Sequence, residues 1–120
     1  VSKVKVPTLV NVCGKYYHIQ YQENWADLHG EALLEKKIIK ISTANHYKKD
    51  DLFATIFHET LHAVLYETGM ASVIADSDKE EGIIRAIENS MASQVSLTSG
   101  IYSDFKMVEL GKEKADNSGD

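Results

Sequence analysis

The chain has 120 residues, of which 43% are hydrophobic and 26% charged, with a formal net charge of −5. That is one domain's worth of sequence with an ordinary globular balance, which excludes a disordered chain, a collagen-like chain and a coiled-coil rod. The acidic balance argues against a nucleic-acid or anionic-membrane partner, since both need a basic footprint to displace counterions.

No apolar run approaches the ~18 residues that a membrane helix requires. The stretch from Val1 to Val12 alternates Lys with Val and lacks a continuous apolar segment, so no retained signal peptide and a cytoplasmic location are expected. Cys13 is the single cysteine. An intrachain disulfide and a zinc site built on several thiolates are thereby excluded, and any metal must be held by His, Asp or Glu.

Taken in chain order, Val4, Val6, Leu9, Val10 and Val12 lead into Cys13-Gly14-Lys15, and Tyr16, Tyr17, His18, Ile19 and Tyr21 follow. β-Branched and aromatic residues on both sides of a Gly turn predict a hairpin. Pro7 suggests that the first strand is an edge or is bulged. Asn24 to Glu31 reads as a loop, and Lys37 to Ser42 (KIIKIS) as a third strand. From about Lys48 to Thr68 the spacing is helical and stops at Gly69. A second helix is expected from about Asp78 to Leu97, with Ile83, Ile84, Ile87, Met91 and Val95 at three- and four-residue steps. About three antiparallel strands followed by two main helices is an α+β pattern. Residues 1–110 form the single domain on this reading, and the polar stretch 111–120 is a frayed tail.

The first helix contains His58-Glu59-Thr60-Leu61-His62, an H-E-x-x-H motif. Residues four apart on a helix lie one above the other, so both imidazoles can reach one Zn²⁺. Glu59 is rotated from His58 by about 100°, which sets its carboxylate beside the metal, where a general base takes a proton from a metal-activated water. A chain of this composition holds about 0.02 such motifs by chance, so coincidence is a poor account. On a helical wheel Leu52, Phe53, Ile56, Phe57, Ala63 and Val64 fill an apolar arc, while Thr55, His58, Glu59, His62 and Tyr66 form one polar stripe. A solvated helix face would carry Lys and Glu rather than two His with Thr and Tyr. A purely structural zinc site would favour four ligands and thiolates, so an open coordination is expected.

Two imidazoles need a third protein ligand. His18, His29 and His46 lie upstream, and Thr68 stands where a third His six residues past the motif would be. Three carboxylates on the second helix remain: Glu80, Glu81 and Glu88. Glu80 stands three after Ser77, as in a capping box, yet lies nearest the centre of the apolar face. Glu88 sits on the flank, two turns beyond Glu81.

The segment from Ile41 to about Val95 resembles the small HExxH metallopeptidases of bacteriophages and prophages, minimal members of the thermolysin-like gluzincin group. The resemblance lies in FATIFHETLHAVLYETG (Phe53 to Gly69) and in EGIIRAI (Glu81 to Ile87). It implies a small zincin-like domain, zinc-dependent peptide hydrolysis in a phage-infected or lysogenic bacterium, and a His₂Glu ligand set. The family's Glu precedes a pair of aliphatic residues by two positions, as Glu81 precedes Ile83-Ile84, which selects Glu81 beside His58 and His62. Larger gluzincins often place an acidic residue four after the Glu ligand to orient an imidazole. Here that position is Arg85, so the orienting group must come from elsewhere or be absent.

The expected enzyme is therefore a zinc metalloendopeptidase with one Zn²⁺ per chain, a peptide or protein substrate, and Glu59 as general base. The KIIKIS strand is expected to pair with the substrate backbone, and Tyr66, His46, Tyr47 and Tyr102 are candidates for stabilising the oxyanion. Two alternatives compete: a non-catalytic, zinc-stabilised phage binding or assembly protein, and a regulatory peptidase with one partner as substrate.

Overall fold

Val4, Val6, Val10 and Val12 recur at the strand period of two, and in the computed structural model all four are buried on one face of a sheet. The structure describes residues 3–23, 28–91 and 100–111. In chain order these form β1 (Lys3–Val12), β2 (Lys15–Gln22), β3 (Gly30–Leu33), a 3₁₀ turn (Leu34–Lys36), β4 (Ile38–Ser42), α1 (Lys49–Glu67), α2 (Met70–Ile74), α3 (Ser77–Met91) and β5 (Tyr102–Glu109). No described helix is long and apolar enough to cross a membrane. Trp25, Val95 and residues 112–120 lie outside the described residues.

The class is α+β as expected, but the inventory differs. Among the described residues the sheet has five strands in the order β3-β4-β2-β1-β5, and there are three helices rather than two. It is also mixed: β1 pairs antiparallel with β2 and β5, β3 pairs antiparallel with β4, and β2 pairs parallel with β4. The parallel pair follows from the connection. The chain leaves β2, forms β3 on the far side, and returns through Lys37, whose left-handed φ of 57° closes the 3₁₀ turn. The predicted hairpin is present, and its turn residues Cys13 and Gly14 both take positive φ, 53° and 85°. Two left-handed residues give the twist that joins antiparallel strands without splaying them.

Pro7 does not mark an edge. β1 lies between β2 and β5, and Pro7 is opposite Phe105 of β5. Its missing N–H is tolerated where β1 has already parted from β2, because that ladder spans only Leu9 to Val12.

α1 lies across the sheet. Leu52, Ile56 and Ala63 are fully buried and join Tyr17, Ile19, Ile39, Ile41 and the β1 valines in one core cluster. Burial of side chains like Leu52 or Ile56 contributes roughly 1.5–3 kcal/mol each. Thr60 sits on the same ridge; its hydroxyl donates to the Ile56 carbonyl and accepts from Tyr102 of β5. In α3 the apolar face is narrower than its sequence suggests. Ile84 is buried, Ile87 is half-buried, and Ile83 and Met91 are exposed.

Candidate metal centre

α1 turns its buried ridge to the sheet, and this leaves His58 and His62 on a flank, each half-buried. Their ring centroids are 5.2 Å apart, one helical turn along the same face. Beyond them Gly69 adopts φ 82°, a left-handed conformation that ends α1, and the short α2 carries the chain to Asp76. Asp76 Oδ1 accepts the backbone N–H groups of Asp78 and Lys79, capping α3. The capping box expected of Ser77 and Glu80 is therefore not used in that way. Glu80 instead turns to α1, where its Oε2 is 2.6 Å from His62 Nδ1.

All three candidate carboxylates meet the imidazoles, each at a different atom. Glu81 Oε1 lies 2.6 Å from His62 Nε2, and Glu81 Oε2 lies 3.2 Å from His58 Nε2. Glu88 Oε1 lies 2.8 Å from His58 Nδ1. Since Glu80 meets His62 and Glu88 meets His58, α3 runs antiparallel to α1. Donor atoms of His58, His62 and Glu81 all lie within 4.8 Å of one another, and these three residues could hold a metal ion. Two imidazoles and a carboxylate, with no thiolate, form a donor set that suits a first-row divalent metal. Arg85, one turn after Glu81 on α3, reaches Glu81 Oε2 at 3.8 Å instead of orienting an imidazole.

Glu59 is only 8% exposed. Burial pushes its carboxyl above the usual carboxylate range; His62 and His58 pull it back, and Glu81 and Glu31 add to the rise. For His58, burial pulls the imidazole down, but the Glu88 hydrogen bond and the charges of Glu59 and Glu81 outweigh it, and the net shift is upward. For Glu81, partial burial pushes up while the two imidazoles win and hold the carboxylate low. Gly30 at the start of β3 lies directly against Glu59. A Cβ there would stand 3.2 Å from Glu59 Cγ and 3.3 Å from its Oε2, so only glycine lets the strand approach this closely.

An open cleft of about 800 Å³ extends from the centre and includes His29, Gly30, Asn45, His46, Tyr47, Thr55, His58, Glu59 and Glu81 in its walls. Of the four oxyanion candidates, two fall away. Tyr102 is buried on the sheet side, spends its hydroxyl on Thr60, and has its phenol pushed up to about 12 by burial. Tyr66 borders a separate hollow with Ala32, Leu33 and Leu34, under the Lys37 ammonium. His46 lines the cleft with both ring nitrogens engaged, Nδ1 on the Ser42 carbonyl and Nε2 on Thr55 Oγ1 at 2.8 Å. Tyr47 lines it and is exposed. The KIIKIS strand is not placed to take a substrate either. It is β4, with both edges occupied by β3 and β2.

Asn45, Asp51 and Ala54 line the cleft without having been singled out from the sequence, and Gly30 was expected only as part of a loop. Gly30 carried a signal, a lone glycine beside an acidic residue ahead of a β-prone run, which can mark close backbone approach. Comparison with protein-family models, with curated proteins and with solved structures returned no match, so the functional reading rests on the geometry of this centre alone.

Proposed function

We propose that the protein is a zinc-dependent metallopeptidase of the minimal gluzincin kind found in bacteriophages and prophages, with His58, His62 and Glu81 as ligands and Glu59 as general base. The observation that carries the reading is the convergence of two imidazole Nε2 atoms and one carboxylate, with a buried, raised-pKa carboxyl beside them in an open cleft. Zinc on this donor set would supply a Lewis acid for a peptide carbonyl and bring the pKa of a water toward neutrality. Glu59 would accept a proton from the attacking water and hand it to the leaving amine. A carboxyl held above its usual range is a better proton carrier near neutral pH than an exposed one. β3 takes the substrate-pairing role expected of KIIKIS. It is the terminal strand of the sheet on this side, and among the described residues it pairs only with β4. Its other edge is open to an extended peptide beside Glu59.

The retained Glu59 separates this reading from a scaffold that merely binds zinc, because a scaffold has no use for a buried base. The test is a peptide-library digest read by mass spectrometry, on protein whose metal content has been measured. One zinc per chain is expected, and Glu59→Gln should keep it while hydrolysis falls on the order of 10²–10⁴-fold. Equal turnover by wild type and variant would refute the role of Glu59. Absence of bound zinc would refute the whole assignment.

A further inference from the structure

We infer that Glu80 and Glu88 are positioning residues for the metal centre: each fixes the tautomer and the direction of one ligating imidazole from its Nδ1 side. The inference rests on the metal-site reading above and goes beyond it by giving the two carboxylates that are not ligands a defined task.

A neutral imidazole has one N–H and one lone pair, and a carboxylate can only accept. His62 Nδ1 has Glu80 Oε2 at 2.6 Å, and His58 Nδ1 has Glu88 Oε1 at 2.8 Å. Once Nε2 is given over to a metal, each ring's one remaining proton sits on Nδ1 and is donated to that carboxylate. Both Nε2 atoms face Glu81, one on each of its carboxylate oxygens. A metal shared by these three residues would therefore meet two Nε2 atoms already aimed at it.

Helix geometry accounts for the division of labour. His58 and His62 are about 6 Å apart along α1, whereas Glu80 and Glu88 are about 12 Å apart along α3. The outer carboxylates thus reach the far edges of the two rings, and Glu81 comes in between. Glu81 and Glu88 are seven residues apart and share a face, while Glu80 is rotated about 100° from Glu81 and meets the opposite edge of His62. Covering follows the same order. The Glu80 and Glu88 side chains are 17% and 24% exposed, against 37% for Glu81. Carboxylates covered to that degree need partners, and the Nδ1–H groups are those partners. The arrangement also accounts for Arg85 at the position where larger gluzincins carry an acid. Arg85 has no acceptor to offer an imidazole, and α3 supplies the orienting group from one residue before Glu81 and seven residues after it instead.

The experiment adds zinc alone to metal-free protein, as wild type and as the Glu80→Gln, Glu88→Gln and Glu81→Gln variants. Affinity is measured by competition with a chromogenic chelator, and imidazole tautomers by long-range ¹H–¹⁵N NMR. In zinc-loaded wild type both rings should be bound through Nε2 with Nδ1 protonated. Glu80→Gln should weaken zinc by ~10–100-fold and disturb the signals of His62 alone; Glu88→Gln should do the same for His58. Glu81→Gln should lose more affinity than either. If a Gln variant fails to fold, Glu80→Asp or Glu88→Asp replaces it, since the shorter side chain withdraws the oxygen from Nδ1 and the same loss is expected. Wild-type zinc affinity in both substitutions would overturn the inference, as would metal on Nδ1. So would a loss of affinity explained by a lower thermal midpoint of the metal-free variant with tautomers unchanged. Failure of wild type to bind zinc would instead bring down the metal-site reading itself, so the two failures are told apart by the wild-type titration.

Discussion

Replacing Gly30 with Ala tests the seam between β3 and α1. Gly30 has no positive φ, so its backbone would accept a side chain and only space opposes one. The new Cβ would stand 2.9 Å from Thr55 Cγ2 as well as close to Glu59. Carbon–carbon contacts turn favourable near 3.5 Å, so Thr55 would have to retreat by roughly 0.6 Å. Rotation of Thr55 is opposed, because it is β-branched and its hydroxyl is held by His46 Nε2. The strand and helix must then part, and overpacking of this kind costs ~1–3 kcal/mol. In a domain near 100 residues each kcal/mol lowers Tm by ~4–8 °C. Glu59 would move with the seam, and misplacing a catalytic group by about 1 Å costs on the order of 10²-fold in rate. Zinc affinity should hold, because no ligand touches Gly30. Urea unfolding, chelator competition and peptide hydrolysis measure the three quantities separately. Gly82→Ala is the control: its Cβ meets nothing within 4 Å in α3, and it should stabilise by about 0.4–1 kcal/mol. A Gly30→Ala protein as stable as wild type would refute the close approach, whatever its activity.

Two further outcomes are expected. His46 is buried and its imidazole is held below the ordinary value, chiefly by that burial, with His29 adding to the effect against the Ser42 hydrogen bond and Asp51. The unfolded chain therefore binds a proton at higher pH than the folded one, so this residue's share of stability is present above about pH 6.5 and lost as pH falls toward the folded pKa. Urea midpoints at several pH values should show a steeper acid-side loss in wild type than in His46→Gln, and parallel curves would refute it. Tyr102→Phe removes the bond to Thr60 while leaving Thr60 its own acceptor at Ile56, so a loss of about 0.5–1.5 kcal/mol is expected with zinc binding unchanged. A thermal melt that matches wild type would refute the contribution.

What the sequence disclosed was the part written in strong periodicities. The hairpin turn at Cys13-Gly14 and the span of α1 were legible because glycine and the 3.6 period leave few alternatives. β3 was hidden because it has only four residues, GEAL, and its first looks like loop. β5 was hidden because YSDFKMVE exposes most of its side chains and carries little apolar alternation, its place being decided by pairing with β1 at the other end of the chain. At the metal centre, spacing brought His58 and His62 together, but amphipathicity alone favoured Glu80 over Glu81. A wheel ranks side chains by direction and says nothing of which ring nitrogen each will meet. That depends on the antiparallel approach of α3, which is a tertiary fact.

The pairing of Lys3 with Glu109 spans nearly the whole chain, whereas every proposed ligand and orienting group lies between His58 and Glu88 in one helical hairpin. The two halves of the molecule thus differ sharply in contact order, and closing the β1–β5 ladder carries the larger entropic toll. During synthesis β1 must wait for β5 with a hydrogen-bonding edge open, the kind of edge that recruits a strand from another copy. Metal would do little to shorten that wait, because the centre draws nothing from β5. Aggregation of a slowly completed sheet, more than loss of metal, is then the hazard this architecture carries while it folds.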